Sequence, residues 1–121
     1  MSASDKRIPS AVKVQVETTV DQFNRDVVRR PRRFLSVLFR RPDRFFSVRF
    51  RGLYVYLDRQ SGNSVSQMGR LTYTGGITDW DFAIYKYSSD RYDPDEWMFP
   101  GSEHLDGTIE GALRACMEAY P

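Results

Sequence analysis

LYVYLDRQSGNSVSQMGRLTYTGGITDWDFAIYKYS, residues Leu53 to Ser88, holds three alternations of apolar and polar residues separated by turn formers. Leu53, Val55 and Leu57 alternate with Tyr54, Tyr56 and Asp58; QSGNS supplies a turn; SQMGRLTYT rises to Gly75-Gly76; WDFAIYKYS runs back from Trp80 to Ser88. A period of two sends successive side chains to opposite faces of a strand, and short turn-rich connections join antiparallel neighbours. The stretch therefore predicts an antiparallel meander. Leu53, Val55, Leu57, Leu71, Trp80, Phe82 and Ile84 fall on the face that needs covering.

The flanks supply the cover. Ile109, Ala112, Leu113, Cys116, Met117 and Tyr120 line one face of a helix that Thr108 can cap, with Glu110 in its first turn. Val12, Val16, Val20, Phe23 and Val27 line another, with Ser10 as the expected N-cap. VKVQV alternates and is β-branched, so a short strand competes there, but the longer helical stripe decides. Pro31 should end that helix, because proline disfavours helical geometry in the residue before it. Ser89 to Gly107, with Pro94, Pro100, Gly101 and many acids, reads as a loop. The expected fold is α+β: an antiparallel meander of three to five strands with an N-terminal and a C-terminal helix packed on one face.

Between the first helix and the meander one phrase occurs twice. RPRRFLSVLFR (Arg30 to Arg40) is followed by RPDRFFSVRFR (Arg41 to Arg51), identical at eight of eleven positions. Pro42-Asp43 argues against one continuous element, so two extended pieces are expected, Phe34 to Phe39 and Phe45 to Phe50, with a turn at Arg41 to Arg44. Interchangeable copies beside a sheet edge invite register shifts and pairing between chains.

The 121 residues, 40% apolar and 28% charged, fit one globular domain. No apolar run is long enough to cross a membrane, and MSASDKRIPS lacks a secretory signal's apolar stretch, so a cytoplasmic protein without membrane contact is expected. A single cysteine excludes an internal disulfide and a paired-cysteine metal or redox motif. The net charge of +2 hides a polarity: residues 1–51 carry 13 basic against 5 acidic side chains, a net +8, and residues 52–121 carry 5 against 11, a net −6. Either the halves neutralise each other or the basic half meets an anionic partner.

The strand phase puts Tyr54, Tyr56, Arg70, Thr72, Tyr85 and Tyr87 on the uncovered sheet face. With Arg32, Arg33, Arg40, Arg41, Arg44, Arg49 and Arg51 of the duplicated segment, these tyrosines and Arg70 form the candidate binding surface. Stacked rings and guanidinium groups hold single-stranded RNA or DNA in this way. The same tyrosines also suit ordinary cross-strand packing, and the arginines can pair with the acidic loop Asp90, Asp93, Asp95 and Glu96. That loop lacks the glycine and glutamate spacing of an EF-hand, so a solvated loop is expected. One histidine, His104, makes no multi-histidine zinc site, and Ser102, Glu103 and His104 are too close in sequence for a triad. A turn or capping role suits His104. Cys116, on a helical apolar stripe, reads as a packed thiol. Glu103, His104, Asp106 and Asp81 are the candidates an enzyme could draw on, and neither a catalytic site nor a cofactor is expected from them.

The helix, three strands, helix order resembles the double-stranded RNA-binding domain in topology. It departs where that family places a lysine cluster, because the last helix here begins GTIEGALRA. LYVYLDR, WDFAIYKYSSDRYDPDEW, FPGSEHLDGTIEGAL and EAYP resemble short bacterial proteins of unknown function over residues 53–121, which implies no activity. The sequence thus reads as a small non-enzymatic interaction module that self-associates through residues 30–51 or meets a protein partner; the alternative is single-stranded nucleic-acid binding through the tyrosine face and the arginine-rich segment.

Overall fold

The computed structural model describes residues 7–28 and 44–121. Five antiparallel strands form one sheet in chain order: β1 (Arg44–Arg51), β2 (Tyr54–Ser61), β3 (Ser64–Thr72), β4 (Asp81–Lys86) and β5 (Arg91–Asp93). Helix α1 (Ser10–Phe23) precedes the sheet and α2 (Ile109–Ala119) follows it, giving the expected α+β arrangement. Two-residue connections join β1 to β2 and β2 to β3, closing at Arg51 opposite Tyr54 and Ser61 opposite Ser64. Gly52 and Gly62 take the first turn position with φ near 60°, which type II′ hairpins require and glycine adopts without steric cost.

Both helices cover one face. Val16, Val20 and Phe23 of α1 and Ile109, Ala112, Leu113 and Cys116 of α2 share a buried cluster with Phe46, Val55, Leu57, Met68, Leu71 and Trp80. Phe23 meets Phe46 edge-on at 6.0 Å. Phe82 packs against this cluster and Ile84 is buried, as the alternation predicts; Leu53 falls in the hairpin turn and is half-buried. Ile8, ahead of α1, is also buried, and its N–H donates to the Gly52 carbonyl at 3.1 Å.

Several expectations need correction. Ser10 is the first helical residue rather than the N-cap; Pro9 precedes it and offers no side-chain cap. Beyond Phe23 the helix widens into a π turn, Asn24–Val28. Residues 89–107 are not all loop, since β5 and a 3-10 turn (Ser102–His104) lie within them. Thr108 does cap α2, its Oγ1 accepting from the Gly111 N–H. The predicted strand at Phe34 to Phe39, the turn at Arg41 to Arg44 up to residue 43, and the stop at Pro31 lie outside the described residues.

Where β2 meets β3 the register slips, so that Leu57 faces Gly69 and Asp58 faces Gln67. Met68 is the extra residue of this bulge, and its side chain is fully buried.

Candidate functional site on the open sheet face

The pairing fixes two rows on the face away from the helices. Arg49, Tyr56, Arg70 and Ala83 lie opposite one another across β1 to β4, and Arg51, Tyr54, Thr72 and Asp81 form the next row. Each row continues a period-two pattern, so the candidate side chains Tyr54, Tyr56, Arg70, Arg49 and Arg51 emerge on the same side. Tyr85 joins them opposite Tyr92, buried at 4% exposure, while Tyr87 beyond the strand end is 53% exposed. Arg44 is in phase with Phe46, Val48 and Phe50 and belongs to the helix-covered side. Arg32, Arg33, Arg40 and Arg41 lie outside the described residues.

Tyr92 organises the face. Its ring lies 5.3 Å from Tyr56 and 4.9 Å from Tyr85, its hydroxyl accepts from Gln67 at 3.2 Å, and burial pushes its pKa up. Ala83, at 3% exposure, offers only a methyl between β3 and β5 and leaves this space to larger neighbours. Tyr92 sits in the segment read as loop, so alternation could not reveal it.

The two arginines of the central row differ in their partners. Arg49 stacks 4.7 Å above Tyr56 and its Nε and Nη2 hold the Asp58 carboxylate at 2.6 and 3.2 Å. Asp58 is 3% exposed, a buried charge balanced by this fork, and the shared hydrogen bond raises the guanidinium pKa further. Arg70 stacks 4.3 Å from the Tyr54 ring centre and 5.5 Å from that of Tyr92, and has neither an ion pair nor a hydrogen bond among the described residues. Its Nε is shielded from solvent without an acceptor.

Several acids of the segment after β4 have partners of their own. Lys86 bonds Glu96 at 2.8 Å and, with Arg91, approaches Asp93; Asp90 accepts from the Tyr85 hydroxyl, pushing that phenol up to about 12. Among the described residues Asp90, Asp93 and Glu96 therefore bond locally, and none of the loop acids pairs with the arginines of β1. Asp106 accepts from the Thr108 N–H at 3.0 Å and its hydroxyl, and Asp81 stands opposite Thr72, so neither joins His104, which meets Glu118 and Glu103. Burial pushes the Cys116 thiol up to about 12, as befits a packed thiol.

A concavity of about 730 Å³ runs between α1 and β1, lined by Glu17, Val20, Asn24, Phe46 and Val48 among others. Among the described residues no helix is long and apolar enough to cross a membrane. No protein-family model, curated protein or solved structure matches this chain.

Proposed function

We propose that the protein is a non-enzymatic binding module whose open sheet face takes single-stranded nucleic acid, with Arg70 as the central cation. The observation that carries this reading is the Arg70 guanidinium between Tyr54 and Tyr92 without a counter-ion among the described residues. Stacking fixes a guanidinium plane while its N–H edge stays able to meet a phosphate or a base edge. Arg51 lies in the neighbouring row, and the exposed Tyr87 ring offers a face on which a base can stack. Arg49 contributes less, because Asp58 already neutralises it.

Self-association through residues 30–51 is the second reading, favoured by β1, the second copy of the duplicated phrase, standing at the sheet edge. Against it, the side chain of Asn24 already satisfies the Phe46 backbone at that edge. The kinship of residues 53–121 with short bacterial proteins remains a proposal and adds no activity.

The test is fluorescence anisotropy of labelled single-stranded RNA and DNA across a salt series, with light-scattering mass measured on the same samples. Affinity that falls log-linearly with salt supports the tyrosine and arginine face. Absence of binding together with a dimer mass would transfer the function to the β1 edge.

A further inference from the structure

A second site lies on the helix side of the molecule, remote in chemistry from the tyrosine face. His104 Nε2 is 2.9 Å from Glu118 Oε1 and 3.9 Å from Glu103 Oε2, and the three donor atoms all lie within 4.8 Å of one another. A cation bound at about 2.0 to 2.2 Å by nitrogen and oxygen holds its donors roughly 3 to 4 Å apart. A small contraction of exposed glutamate side chains reaches that geometry. We propose that Glu103, His104 and Glu118 form a surface site for a divalent transition cation of the zinc type, with water completing the coordination.

The backbone is built for the approach. Gly101, with φ near 100°, starts the turn that carries Glu103 and His104. A Cβ there would stand 2.7 Å from the Ala115 carbonyl oxygen and 2.8 Å from the Glu118 Cβ, so the turn lies directly against the last part of α2. Ligands from the turn and from the helix thus reach one point without any large movement of the chain.

Charge argues in the same direction. Glu103 and Glu118 have His104 as their ion-pair partner and no other among the described residues. Two carboxylates share this one imidazole; a divalent cation placed between them adds positive charge and uses the same imidazole nitrogen as donor. The imidazole sets the metal class, since nitrogen donors favour zinc, cobalt, nickel and copper over magnesium and calcium.

The experiment is a zinc titration of untagged protein near neutral pH against a chromophoric chelator, with cobalt as the spectroscopic probe. The wild type is expected to take up a single equivalent that magnesium and calcium do not displace, and to melt at higher temperature with zinc present. His104→Ala and Glu118→Gln should each weaken zinc binding by roughly tenfold or more and abolish the thermal shift. Glu103→Gln, at a more exposed position, provides the same readout should either of the others fold poorly by circular dichroism. A wild type that takes up no zinc, or well-folded variants that bind it equally, would overturn the site. No nucleic acid enters this measurement, so its result is independent of the function proposed above.

Discussion

The side chain of Asn24 makes both hydrogen bonds that a neighbouring strand would make with Phe46: Nδ2 donates to the Phe46 carbonyl at 2.9 Å and Oδ1 accepts from the Phe46 N–H at 2.8 Å. The π turn that begins at Asn24 sets this amide against the outer edge of β1. Edge strands expose unpaired backbone groups that recruit other strands, and a side-chain amide placed here blunts one such point.

Asn24→Ala leaves the buried N–H and C=O of Phe46 without partners. The expected cost is about 1–3 kcal/mol, read from urea unfolding. The variant should also show a concentration-dependent rise in light-scattering mass as the edge becomes available. A variant as stable and as small as the wild type would show that the amide is dispensable.

Arg49 and Asp58 are unequally exposed, their side chains being 54% and 4% accessible, and this predicts unequal costs for removing either partner. Arg49→Met strands a carboxylate in the sheet, for which about 2–4 kcal/mol is expected, somewhat below the range for fully buried pairs. Asp58→Asn leaves a guanidinium that water can reach, and about 1 kcal/mol is expected. Chemical denaturation of the two variants checks the order, and the reverse order would contradict it.

If the open face holds single-stranded nucleic acid, Arg70→Ala should lower affinity and flatten the salt slope by about 0.7, the change for one phosphate contact on a single strand. Arg49→Met, assayed where it remains folded, should change the slope less, since its charge is balanced by Asp58. Equal slopes for wild type and Arg70→Ala would remove Arg70 from the site.

Two glycines separate backbone strain from steric conflict. Gly75→Ala meets open space at φ near 108° and should cost about 1–3 kcal/mol from conformation alone. Gly101→Ala adds a clash with the Ala115 carbonyl, a backbone atom that cannot swing away, and should be clearly the less stable of the two in thermal melts.

Asp106 gives a pH signature. Hydrogen bonds from the Thr108 hydroxyl and N–H lower its pKa below 3.8, so the carboxylate stabilises the folded state above that value and the contribution is lost as pH falls through the lower folded value. The melting-temperature difference between wild type and Asp106→Asn should therefore be present near neutrality and shrink below about pH 4. A difference that stays constant down to acid pH would rule out the linkage.

Much of this architecture is legible in the chain because it rests on local pattern. Val55 and Leu57 alternate with Tyr54 and Tyr56, Gly52 and Gly62 meet the demand of tight turns, and the stripe from Ile109 to Cys116 declares α2 and its buried face. The rows containing Tyr54, Tyr56, Arg70 and Arg49 follow from the same alternation. Tyr92 escaped because β5 is three residues long, too short for a period, and its ring acts on residues distant in sequence. Asp58 reads as an ordinary polar residue on an open face, and only the pairing with Arg49 explains its burial. Asn24 and the Met68 bulge are likewise set by tertiary contact, where an amide or one extra residue carries no sequence period.

The first and last described helices touch each other and seal the same sheet face, although the three strands with the tightest connections lie between them in sequence. During synthesis, β1 to β3 can pair as soon as they leave the ribosome, yet Val55, Leu57 and Leu71 wait for Leu113 and Cys116 before the core closes. The nascent chain thus carries a half-covered apolar sheet until α2 emerges, and apolar surface left open in that interval favours aggregation.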